Sequence, residues 1–143
     1  MDAIPDFISQ PHQLSQARVA IVGLGLMGGS LAMALHGRCA ALLGVDPHEE
    51  TLALALERGI VAQGAPDPRA ILPQADLVIL AAPVEAILQL LADLPKLHPG
   101  PAVVMDLGST KARIVEAMRE LPQRFDPLGG HPMCGKENTS LQN

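Results

Sequence analysis

The sequence contains no tryptophan and no tyrosine, and phenylalanine occurs only at Phe7 and Phe125. A core of stacked aromatic rings is therefore excluded. Apolar residues still make up 48% of the 143-residue chain, enough for one good core, and they are mainly Ala, Leu, Val and Ile. Small and branched aliphatics suit parallel strands covered by helices on both faces. Basic runs are also missing and the formal charge is −5, which argues against a nucleic-acid partner. No run of eighteen apolar residues occurs, so no membrane span is expected. Cysteine is limited to Cys39 and Cys134, far apart, which reads as reduced thiols in a cytoplasmic protein rather than a disulfide framework. The opening "MDAIPDFISQPHQLSQA" has neither a cationic start nor an apolar centre. It reads as an N-terminal extension, residues 1–17, and not as a signal peptide.

From Arg18 onward, strand-like and helix-like segments alternate. "RVAIVG" is a short apolar run, and "LMGGSLAMALHG" reads as a helix closed by Gly37. "AALLGVD" follows as a strand. Its helix, "PHEETLALALERG", has Pro47 near its first turn, Glu49 and Glu50 at its positive end, and Gly59 as its stop. "GIVAQ" reads as a brief third strand, and "ADLVILAA" is the clearest strand of the chain. Val84, Ile87, Leu88, Leu91 and Leu94 then fall on one helical stripe. "PAVVMDLG" is a fifth strand, and "STKARIVEAMREL" is a helix with a Ser/Thr cap and a stripe of Ile114, Val115, Met118 and Leu121. "RFDPLGG" offers a sixth strand. Repeated strand–helix–strand units with short connections imply right-handed crossovers. The expected fold is α/β, a doubly wound, mostly parallel sheet in the order 3-2-1-4-5-6, with residues 18–143 as one dinucleotide-binding domain.

"GLGLMG" fits the G-x-G-x-x-G pattern through Gly23, Gly25 and Gly28. The pattern alone is weak, but here it follows a strand and opens a helix. It is also followed, eighteen positions after Gly28, by the acidic Asp46. Gly23 permits a tight turn, Gly25 lets backbone approach a pyrophosphate, and Gly28 lets helix and strand pack closely. Asp46 can accept hydrogen bonds from a ribose diol and repel a 2′-phosphate, which favours NAD over NADP. His48 is a nearby cation that would accommodate a phosphate instead. The competing reading is a glycine-rich turn beside a surface aspartate.

Ligands of such sheets lie at the carboxyl ends of the strands. That rule gathers "AAPV", "DLGSTK" and "GGHPMCG" on one edge, with Ser109 and His131 converging there. A neutral imidazole is suited to taking a hydroxyl proton during hydride transfer to NAD⁺. The bland readings are that His131 is a loop residue bonding to backbone and that Ser109 is only a helix N-cap. His131 and Cys134 alone are too few for a metal site, so no metal is expected. The remaining histidines, His12, His36, His48 and His98, read as solvated.

Taken together, "IVGLGLMGGSLA", "DLVILAAPV", "DLGSTK" and above all "GGHPMCGKE" resemble prephenate dehydrogenase and its arogenate-using relatives in tyrosine biosynthesis. The resemblance implies oxidative decarboxylation of a cyclohexadienol, with His131 accepting the ring-hydroxyl proton and Ser109 beside it. Lys111 matches the lysine of the same motif and is given no role. The expected cofactor contacts are Gly23, Gly25, Leu26, Met27, Gly28, Asp46, Ala82, Pro83 and Gly108. The family continues into a helical C-terminal domain that makes a homodimer and holds the substrate's carboxylate. On that comparison this chain reads as the cofactor-binding part, feeble or inactive alone. Prephenate and arogenate are left unseparated as small-molecule substrate. A β-hydroxyacid-type dehydrogenase and a non-catalytic NAD(H)-binding module are the competing functions.

Overall fold

The computed structural model describes residues 11–107 and 111–127. The expectations for Gly108, Ser109, His131 and Cys134 lie outside the described residues. Among the described residues, six strands form one sheet: β1 (Arg18–Val22), β2 (Ala41–Val45), β3 (Gln63–Ala65), β4 (Leu77–Leu80), β5 (Ala102–Asp106) and β6 (Phe125–Pro127). Their order is β3-β2-β1-β4-β5-β6 and every pairing is parallel, as the alternation of segments requires. The helices are α1 (Leu26–Leu35), α2 (Glu49–Glu57), α3 (Val84–Leu97) and α4 (Lys111–Arg119). Among the described residues, no helix is long and apolar enough to cross a membrane.

The period of two along each strand divides the interior into two cores. Ala20, Val22, Leu43, Val45, Val78, Leu80 and Val104 face one side, where they meet Ile87, Leu91 and Leu94 of α3 and Ile114 and Met118 of α4. Val19, Ile21, Leu42, Leu77, Ile79 and Val103 face the other, against Ala32 of α1 and Leu52 and Ala55 of α2. Central strands buried on both faces read as unbroken apolar runs, which is why "DLVIL" is so legible. Ahead of β1, residues Pro11–Gln16 form a 3₁₀ turn; its Leu14 packs on the second core and Ala17 is buried. Helix α1 contains no charged residue and turns Leu26, Met27 and Met33 outward.

Two expectations are corrected. The third strand lies at Gln63–Ala65 and so begins only at the last residue of "GIVAQ". The end of α2 takes up the intervening backbone: Ile60 and Val61 N–H both donate to the Ala55 carbonyl, while Val61 turns its side chain into the core. Ala62 N–H then reaches Leu42 O at 2.7 Å and the strand starts from there.

His98 is the second correction, because it is buried at 4% exposure instead of solvated. Its Nε2 lies 2.7 Å from the Ala75 carbonyl, and its Nδ1 accepts the Gly100 N–H at 2.7 Å. A carbonyl only accepts, so Nε2 carries the hydrogen and Nδ1 the lone pair. The ring meets Phe125 edge-on at 5.8 Å, and the Arg124 guanidinium covers Phe125 at 5.0 Å while donating to Pro95 O. This cluster fastens β6 to the end of α3. His98→Ala takes the ring's bond from a buried carbonyl and from a part-buried N–H and opens a cavity. The expected loss is about 2–4 kcal/mol in urea unfolding. A change below about 0.5 kcal/mol would show that the ring is not a structural tie.

Candidate functional site

β1 ends at Val22, and the chain turns at Gly23 with φ +99°, in the left-handed region that favours glycine. Gly23 N–H donates to Val45 O at 2.7 Å, which ties the turn to β2. On its other side a Cβ would stand only 2.7 Å from the Ala81 carbonyl oxygen, just beyond β4. Gly28, one turn into α1, passes so near that a Cβ there would overlap the Gly23 carbonyl oxygen. Gly25 is the opposite case. A Cβ on it would meet nothing within 4 Å, so the backbone at the start of α1 fronts open space. The first N–H groups of a helix have no partner within the helix, so this is where an anion is best received.

Asp46 follows β2 and is only 4% exposed. Its Oδ2 accepts the Leu24 N–H at 2.7 Å, across the mouth of the glycine turn. Its Oδ1 accepts the His48 N–H at 2.8 Å, a turn typical of aspartate, and sits 3.0 Å from His48 Nδ1. Burial works against ionisation here. The hydrogen bonds from Leu24 N–H, His48 N–H and the His48 ring outweigh it and hold the carboxyl below the usual aspartate range.

These elements wall a cavity of about 380 Å³ at the carboxyl end of the sheet. It is lined by Gly23 and Gly25 after β1, by Asp46, Pro47, His48 and Thr51 after β2, by Pro66 and Pro68 after β3, and by Ala82, Pro83, Ala86 and Leu90 after β4. Of the residues expected from the sequence, Gly23, Gly25, Asp46, Ala82 and Pro83 line it, and Gly28 lies buried beneath. Leu26 and Met27 are not part of the wall, and Leu26 is 90% exposed. The glycine cradle, the acceptor and an apolar slot of this size fit a dinucleotide's adenosine half and pyrophosphate. Sequence reasoning missed Pro66 and Pro68. The signal was their place directly after β3, on the edge where ligands lie, and misplacing β3 concealed it.

A parallel 3-2-1-4-5-6 sheet with this cradle at its switch point defines a Rossmann-type nucleotide-binding domain. The family described as "Prephenate dehydrogenase, nucleotide-binding domain" matches residues 31–143. The chain belongs to that family. It is 34% identical over 129 residues to a prephenate dehydrogenase of Bacillus subtilis, covering 86% of this chain and 34% of that protein. Among solved structures, prephenate dehydrogenase of A. aeolicus, in complex with hydroxyphenyl propionate and NAD⁺, is similar with TM-score 0.72 and 31% identity, covering 87% of this chain and 44% of that one. Arogenate dehydrogenase of Synechocystis is similar with TM-score 0.69 and 33% identity, covering 76% and 38%. The chain spans about a third of the length of the curated relatives it matches.

Two substitutions of one methyl group separate the roles of the glycines. Gly28→Ala is expected to lose about 3 kcal/mol in urea unfolding, and Gly25→Ala less than about 1 kcal/mol. Equal losses would refute the close approach at Gly28. The depressed Asp46 carboxyl stabilises the fold fully above its unfolded value, near about 3.9, and that contribution disappears as pH falls through the lower folded value. Asp46→Asn, which sets an NH₂ against a backbone N–H, should therefore lose about 1–3 kcal/mol near neutrality. The gap to the unmodified chain should close below about pH 4. A gap that stays constant with pH would argue against an ionised Asp46.

Proposed function

We propose that this chain binds NAD(H) and is the cofactor domain of a dehydrogenase that oxidatively decarboxylates prephenate, producing 4-hydroxyphenylpyruvate in the tyrosine pathway. The observation that carries the reading is the bond from Leu24 N–H to Asp46, which joins the glycine cradle to a buried, ionised acceptor at one end of the cavity. Gly23, Gly25 and the first turn of α1 would receive the pyrophosphate. The remaining acceptor capacity of Asp46 would receive a ribose hydroxyl. Leu26 and Met27, outside the cavity wall, and Gly108 complete the expected cofactor contacts. When bound, the oxidised nicotinamide supplies the acceptor for the hydride lost by the substrate's hydroxyl-bearing carbon. His131 takes that hydroxyl's proton, and Ser109 orients the imidazole or the substrate. These two roles rest on the sequence match alone. In the full-length protein the same reading carries a homodimer.

Arogenate is the second reading, favoured by the 33% identity to the Synechocystis arogenate dehydrogenase. The two substrates differ in carrying a keto or an amino group on the side chain, which a comparison of both in one assay separates.

The absence of Trp and Tyr leaves bound NADH as a clean fluorescent reporter. Titration near neutral pH is expected to show saturable NADH binding, with NADPH weaker by about tenfold. In the full-length protein, His131→Ala should lower kcat by about 100-fold or more with little change in NADH affinity. Failure of the chain to bind NADH would sink the cofactor reading. Turnover of 3-hydroxy acids with indifference to prephenate would replace the substrate class, and an unchanged kcat in the variant would remove His131 from the chemistry.

A further inference from the structure

We infer that His48 makes the choice between dinucleotides pH-dependent: with its ring neutral the pocket rejects a 2′-phosphate, and with its ring protonated the pocket accepts one. The inference rests on the reading of the cavity as an NAD(H) site. Asp46 and His48 are the only titratable side chains among the described residues that line the cavity. They touch each other at 3.0 Å, and they differ sharply in access: the Asp46 side chain is 5% exposed and that of His48 79%.

The contact fixes which ring nitrogen carries a hydrogen. A buried carboxylate oxygen only accepts, so the His48 nitrogen against it, Nδ1, carries a hydrogen. In the neutral ring, Nε2 is then a bare acceptor. Asp46 has about four acceptor positions, and Leu24 N–H, His48 N–H and the His48 ring use three. One position remains, which suits a single ribose hydroxyl. A 2′-phosphate at that position meets an acceptor and a carboxylate of its own sign.

Protonation changes both terms at once. Nε2 becomes an N–H donor on an exposed ring, and the Asp46–His48 pair becomes an ion pair with no net charge. Imidazole makes this change between about pH 5 and 8. Asp46, held below the ordinary range, stays ionised throughout that window.

The surrounding charges do not replace this device. Glu49 and Glu50, in the first turn of α2 behind His48, add negative charge. Beside Pro68, but outside the cavity wall, Arg69 is engaged by Asp67 at 3.1 Å within the same short turn. Among the described residues, neither lysine nor arginine lines the cavity. His48 is thus the cation that the described wall offers to a group held at Asp46.

The test is calorimetric titration of the 143-residue chain with NAD⁺ and with NADP⁺, at about pH 8 and about pH 5.5, comparing unmodified chain, His48→Ala and His48→Arg. In the unmodified chain, acidification should strengthen NADP⁺ relative to NAD⁺ by about fivefold or more. The 2′-phosphate takes up a proton in the same range, so His48→Ala serves as the control and should show a change of less than about twofold. His48→Arg, a permanent cation, should accept NADP⁺ well at both pH values. An equal pH response in the unmodified chain and His48→Ala would overturn the inference while leaving the cofactor reading in place. NADP⁺ discrimination in His48→Arg as strong as in the unmodified chain at high pH would overturn it too. Absence of NAD⁺ binding at either pH would overturn the cofactor reading and this inference with it.

Discussion

Where α1 crosses the end of β1, Gly28 lies against the Gly23 carbonyl with no room for a side chain between them. That approach sets the angle at which α1 leaves the sheet and holds the glycine turn against Ala81, beyond β4. Because β1 and β4 lie side by side at the centre of the sheet, the same contact fixes the crevice between the two halves of the fold. The alternating cores beneath it need little more than aliphatic runs of the right period. The crevice needs a backbone geometry that one methyl group would destroy.

Asp46 adds the second constraint. A lone carboxylate in an apolar wall ordinarily picks up a proton, since burial disfavours its charge. Here two of its donors are backbone N–H groups, from Leu24 and His48, which cannot rotate away. The charge is therefore fixed in place by the chain's own course through the glycine turn and the start of α2. Cradle and acceptor form one mechanical unit, and neither would hold its position if the other shifted. His48, bonded through its ring as well, is the part of this unit most open to solvent.

Much of this was legible in the sequence, for identifiable reasons. Strand order follows from chain order once the crossovers are right-handed, and Gly23, Gly25, Gly28 and Asp46 carry their roles in their spacing. Gly37 and Gly59 do adopt positive φ, as helix-stopping glycines should. What escaped depends on contacts distant in sequence. "LHPGP" looks like a solvated helix end, but Phe125, at the start of β6, packs edge-on against His98, and Arg124 just before β6 covers Phe125. "GIVAQ" has a strand's composition, but α2 still holds Ile60 and Val61 by their N–H groups. Misreading that register moved the loop after β3 and hid Pro66 and Pro68 from the expected pocket.

Both margins of the sheet are minimal. β3 and β6 are three residues long; Pro66 follows the first directly and Pro127 ends the second. A margin so short, with proline removing a donor, offers almost no ladder on which a foreign strand could pair. Among the described residues, the outer side of α1 carries no charge, and Leu26, Met27 and Met33 stand clear there as an apolar surface open to another molecule.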